Sequence, residues 1–159
     1  MPVATRIEEV RNEVSALAEA STTTPVLMHA VCKLLQERML KYNWVGFYML
    51  EPGTQPPVLV LETFVGAMTP HTRIPLNQGI CGAAASSGKT IVVDDVSKDS
   101  RYLACSLETK SEIVVPVFVN GQVAGELDID SHFPAAFGAD DQKLVQYCAE
   151  IVGKKLEQS

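Results

Sequence analysis

The chain has 159 residues, of which 47% are hydrophobic and 20% charged, the balance of one soluble globular domain spanning 1–159 that needs no disulfide or metal staple to fold. Thirteen Lys and Arg against 19 Asp and Glu leave a net charge of −6 and a pI near 5.0, which argues against a nucleic-acid-binding face and against a basic membrane-surface patch. No apolar run approaches the ~18 residues that span a bilayer, and the first ten residues carry acids where a secretory signal would be apolar, so the cytoplasm is the expected compartment.

The first element is an amphipathic helix over 5–20, with Ile7, Val10, Val14 and Leu17 at three- and four-residue steps and Glu8, Glu9, Arg11 and Glu13 facing outward. The loop 21–25 opens a second helix, with Thr24 as N-cap and Pro25 in its first turn, ending near Lys41. The period then changes from helical to alternating. Trp44–Leu50 and Val58–Val65 read as a strand pair split by the turn-rich 51–57. An irregular stretch over 67–76 holds a short extended piece at Thr72-Arg73-Ile74. Residues 79–87 form a small-residue helix closed by Gly88, and 89–93 a strand leading into the polar loop 94–101. Tyr102–Thr109 is expected to form a further short helix. Ile113–Val119 and Val123–Asp130 flank Asn120-Gly121, the strongest hairpin signal in the chain. A last helix over 140–156 places Leu144, Val145, Cys148, Ile151 and Val152 inward. These elements specify an α+β fold: a central antiparallel sheet, with the terminal helices on one face and short helices and loops on the other.

Four cysteines in a reducing compartment are free thiols, metal ligands or redox groups. Cys32 and Cys148 sit inside apolar helical patterns and read as packing. Cys81 lies near the start of a short helix, where backbone N–H groups and the helix dipole favour a thiolate. Cys105 lies in an irregular polar stretch. For both, packing and chemistry remain open. No Cys-x-x-Cys pair occurs, and His29, His71 and His132 are scattered, so spacing gives no support to a metal site.

Asp128 and Asp130 share one strand face by the two-residue alternation, with Leu127 and Ile129 on the other. Glu112 precedes the hairpin partner, so antiparallel pairing brings three acids to one sheet end. They are either a solvated strand end or a receptor for an ammonium group or a metal ion. Trp44, Gly46 and Tyr48 alternate onto one face, either as core or as the wall of a small pocket.

Taken together, Asn43–Tyr48 (NWVGFY), Arg73-Ile74-Pro75-Leu76, Gly79-Ile80-Cys81-Gly82, Leu103-Ala104-Cys105, Ser111-Glu112-Ile113 and Leu127-Asp128-Ile129-Asp130-Ser131 resemble the GAF domains that reduce free methionine-(R)-sulfoxide. The resemblance implies that Cys105 attacks the sulfoxide sulfur and is left as a sulfenic acid. It also implies that Glu112, Asp128 and Asp130 hold the free amino acid and polarise the S=O oxygen, while Trp44 and Tyr48 wall the methyl group. No bound cofactor is implied, only an external thiol reductant of thioredoxin type, and GAF domains commonly form homodimers. One departure stands out. The family's resolving cysteine, two residues before Arg-Ile-Pro, is replaced here by His71. Cys81 or an external thiol must then resolve the sulfenic acid. The alternative reading is a non-catalytic GAF sensor that binds a small amino-acid-like ligand in the same pocket.

Overall fold

The computed structural model describes residues 3–103 and 107–159. Its strands are β1 (Trp44–Leu50), β2 (Val58–Val65), β3 (Arg73–Pro75), β4 (Ile91–Val93), β5 (Ser111–Val119) and β6 (Gln122–Ser131). Its helices are α1 (Val3–Ala20), α2 (Thr24–Arg38), α3 (Gly79–Ser87) and α4 (Ala139–Glu157). The six strands form one sheet in the order β3-β2-β1-β6-β5-β4, every neighbouring pair antiparallel. The α+β architecture expected from the sequence is the one formed.

Strand alternation divides the interior into two cores. On one face Val45, Phe47, Ile113, Val115, Leu127 and Ile129 meet the apolar stripes of α1, α2 and α4, including Val14, Leu35 and Leu144. On the other face Trp44, Tyr48, Leu59 and Val114 meet Ile74 from β3 and Ile80, Cys81 and Ala84 from α3. This second core is the smaller, and it borders the acids. Because β6 lies between β1 and β5 and is covered on both faces, its segment 125–131 is buried throughout. Burial on both faces explains why Asp128 and Asp130 are not a solvated strand end.

Several local details differ from the sequence expectation. The N-cap of α2 is Thr23, whose Oγ1 accepts from the Val26 N–H at 3.4 Å, and Thr24 is the first helical residue. Pro25 stands in the first turn as expected. The helix stops at Arg38 because Met39 turns extended (φ −102°, ψ 103°). The expected helix over 102–109 is absent among its described residues: Tyr102 and Leu103 are irregular, and Leu107 and Glu108 form a turn. The hairpin between β5 and β6 turns at Asn120 (φ 51°) and Gly121 (φ 79°), the paired positive angles of a type I′ turn. Gly88 caps α3 as expected.

Ile129 is fully buried and sits opposite both Val45 and Ile113. Ile129→Ala is expected to lower unfolding stability by about 2–5 kcal/mol, because the side chain is fully buried in the core between the sheet and its helices and its loss leaves a cavity. Urea denaturation followed by tryptophan fluorescence measures it.

Candidate active site

The pocket is built at the end of the sheet where β1, β5 and β6 meet. Register fixes its acids. Glu112 on β5 stands directly opposite Asp130 on β6, and Val114 stands opposite Asp128. Trp44 at the start of β1 stands opposite Asp130 from the other side. The Asn43 N–H donates to the Asp130 carbonyl at 3.0 Å, and Asn43 Oδ1 accepts from the His132 N–H at 2.7 Å. These bonds tie the entry of β1 to the exit of β6.

Two aromatic side chains form the wall. Trp44 stacks on Phe64 with ring centroids 5.6 Å apart, and Tyr48 lies 6.3 Å from the indole. A Cβ on Gly46 would fall 2.5 Å from Trp44 Cη2, so the missing side chain is what lets the indole lie over β1. Both aromatics use their polar atoms to hold the segment crossing the pocket. Trp44 Nε1 donates to the Ala67 carbonyl at 3.0 Å, and the Tyr48 hydroxyl donates to the His71 carbonyl at 2.7 Å. The resulting space, about 370 Å³ with its open mouth, is lined by these aromatics, Ile74, Ile80, Leu103, His71, Cys81 and the three acids.

Its electrostatics are those of acids withdrawn from water. Glu112, Asp128 and Asp130 are 5%, 4% and 3% exposed. Burial first, then the neighbouring carboxylates of Asp128 and Asp130, push the Glu112 carboxyl well above its usual range. Glu112 lies within hydrogen-bonding reach of both partners, and two carboxyls can share such a bond only if one keeps its proton. Burial also raises Asp128, against the lowering effect of hydrogen bonds from Glu112 and Cys81. Among the described residues the pocket lining contains no Lys or Arg, and His71 is its basic side chain.

The structure brings Trp44, Tyr48, Cys81, Glu112, Asp128 and Asp130 into one pocket. Cys105 lies outside the described residues. Cys81 differs from the expectation of a thiolate favoured by the α3 N-terminus. Its thiol is 6% exposed and donates to Asp128 Oδ2 across 3.4 Å. Burial, followed by the charges of Asp128, Glu126 and Glu112, drives it well above the ordinary thiol value. Three facing acids outweigh one short helix. Cys32 and Cys148 are fully buried, as their patterns implied, and burial raises both, Cys148 to about 12.

Sequence reasoning missed Glu126. It lies two residues before Asp128 on β6, so the same alternation places it on the acid face. It is fully buried, and neither carboxylate oxygen has a hydrogen-bond partner in proper geometry among the described residues. It nevertheless lies close enough to the Cys81 thiol for each to shift the other's acidity. Burial dominates and pushes its carboxyl well up.

The sequence pattern of the GAF domain family matches residues 24–156. A free methionine-R-sulfoxide reductase of Escherichia coli is 35% identical over 144 residues, covering 90% of this chain and 84% of the relative. One of Saccharomyces cerevisiae is 33% identical, covering 89% and 76%. The crystal structure of free methionine-R-sulfoxide reductase from Neisseria meningitidis in complex with its substrate superposes with a TM-score of 0.91 at 34% identity, covering 99% of this chain and 92% of that one.

The buried acids also set a pH dependence of stability. Glu112, Glu126 and Asp128 are all raised in the folded chain, so above about pH 4 the unfolded chain binds fewer protons than the folded one. Their contribution is therefore full below about pH 4 and falls as pH rises from there toward the folded values. Glu126→Gln removes one such group and is expected to flatten the decline in melting temperature between about pH 5 and pH 8. Thermal unfolding across that range checks it; an unchanged slope would show that Glu126 is not held protonated.

Proposed function

We propose, from the premise that this chain belongs to the GAF-domain family of free methionine-R-sulfoxide reductases, that it reduces free L-methionine-(R)-sulfoxide to methionine. The observation that supports the reading most is the cluster of Glu112, Asp128 and Asp130 beside an aromatic wall, with no Lys or Arg lining the pocket among the described residues. A free amino acid supplies the missing positive charge through its ammonium group. A methionine sulfoxide inside a peptide has an amide there and cannot.

In this mechanism Cys105 is the nucleophile. Its sulfur attacks the sulfoxide sulfur, the S=O oxygen takes up a proton, and the oxygen is transferred to leave methionine and a cysteine sulfenic acid. A buried carboxyl that keeps its proton suits the donor's role, and Glu112 lines the pocket with its carboxyl pushed well toward that form. Asp128 and Asp130 hold the ammonium, and Trp44 and Tyr48 enclose the thioether methyl. Two external thiols complete the cycle. The first condenses with the sulfenic acid to a mixed disulfide and water; the second releases Cys105 and leaves the reductant as a disulfide. The burial of Cys81 among acids supports an external resolving thiol over Cys81, because the thiolate is the attacking form. His71 stands in the lining, with its carbonyl fixed by Tyr48.

Purified protein supplied with dithiothreitol, glutathione or thioredoxin is expected to consume free L-methionine-(R)-sulfoxide and to spare the peptide-bound form. Cys105→Ser is expected to abolish turnover. Glu112→Gln, which cannot deliver an acidic proton to the S=O oxygen, is expected to lower kcat by about 10²- to 10⁴-fold. Wild-type protein that turns over with none of these reductants, yet binds the amino acid, would establish the sensor reading instead.

A further inference from the structure

Cys81, Glu112 and Asp128 come from α3, β5 and β6 and present one sulfur and two carboxylate oxygens that all lie within 4.8 Å of one another, every one of them buried. Tetrahedral zinc with Zn–S of about 2.3 Å and Zn–O of about 2.1 Å separates its sulfur and oxygen ligands by about 3.6 Å. The Cys81 Sγ to Asp128 Oδ2 distance is 3.4 Å. Three protein ligands with a fourth position facing a cavity is the pattern of an open zinc site.

Two further observations point to a cation beyond the carboxyl cluster itself. Asp128 Oδ1 is buried with no hydrogen-bond partner among the described residues, leaving acceptor capacity at the site unused. Glu126, fully buried and with neither oxygen bonded among those residues, lies against the same Cys81 thiol. A charge of opposite sign at the sulfur would satisfy both carboxylates at once. The donor set selects the ion: a thiolate with two carboxylates suits a borderline-soft cation, whereas magnesium and calcium require all-oxygen shells of six or more ligands.

We propose that Cys81, Glu112 and Asp128 form a binding site for Zn²⁺, with Glu126 as a buried counter-charge behind the sulfur, and that occupation excludes the amino-acid substrate. Binding displaces the Cys81 thiol proton and the protons held on the carboxyls, so one Zn²⁺ replaces protons and no electron moves. Affinity therefore rises with pH. Because Asp128 cannot hold the metal and the substrate's ammonium group together, the ion acts as a competitive inhibitor of the proposed reaction.

Co²⁺ titrated into the reduced, metal-free full chain reads out the site directly. The expected result is one equivalent bound, with the visible absorption of a tetrahedral ion and a sulfur-to-cobalt charge-transfer band, both lost on adding Zn²⁺. Cys105→Ser is expected to keep the charge-transfer band and Cys81→Ser to lose it. Asp128→Asn, a second variant in case Cys81→Ser fails to fold, is expected to weaken Zn²⁺ binding at least tenfold in competition with a chromophoric chelator. A missing band, or one that survives Cys81→Ser, would overturn the proposal. Turnover by metal-free protein is a separate measurement: its failure removes the reductase reading and leaves the cobalt result standing.

Discussion

Carboxyl groups gathered at one buried sheet end govern the rest of this molecule. Glu112, Glu126, Asp128 and Asp130 are each at most 5% exposed. Like charges so placed cannot all ionise. The fold leaves three ways to relieve the repulsion: retained protons, an incoming ammonium group, or a metal ion. The carboxyls held above their usual pKa range, the proposed binding of a free amino acid and the proposed zinc site express these three solutions. They compete for the same oxygens, so strengthening one weakens the others.

That cluster persists because the surrounding packing holds it in place. The main core beneath the sheet is apolar and continuous through α1, α2 and α4, so it fixes the registers of β1, β5 and β6 without help from the acids. Register alone then puts Glu112 opposite Asp130 and Trp44 beside the same residue. The smaller core above the sheet is loosely divided between side chains and cavity. There Trp44 and Tyr48 spend their polar atoms on the backbone of 67 and 71, which keeps the crossing segment off the acids and leaves room for a ligand. Stability on one face thus supports strained electrostatics on the other.

Much of this was legible in the sequence because it depends on local periods. Alternation placed Asp128 and Asp130 together, Asn120-Gly121 set the hairpin, and antiparallel geometry then brought Glu112 across. The same rule extended two residues further reaches Glu126. What sequence could not carry was burial. Whether a strand end is solvated depends on its neighbours in the sheet, and β6 is central only because β1, some 80 residues earlier, pairs along its other edge. The N-terminal position of Cys81 in α3 had the same limit: the dipole was visible, but the acids facing it from β5 and β6 were not. The metal-ligand set was hidden for that reason too, since no short spacing in the chain joins residues 81, 112 and 128.

Cys81 shows how one side chain can be quiet or committed according to what occupies the pocket. Without a cation, burial and three acids keep its proton in place, and a thiol in that state is a poor nucleophile toward a sulfenic acid. In the proposed mechanism this fits His71 at the position of the family's resolving cysteine: neither residue offers a reactive internal thiol, which favours an external one. A substrate ammonium group neutralises part of the acid charge during binding, but it leaves the sulfur buried. A divalent ion does more, because it bonds the sulfur directly and inverts the local field. The acids that make Cys81 a weak nucleophile are the same groups that, in the proposed zinc site, would share a cation with its sulfur once the thiol proton is displaced.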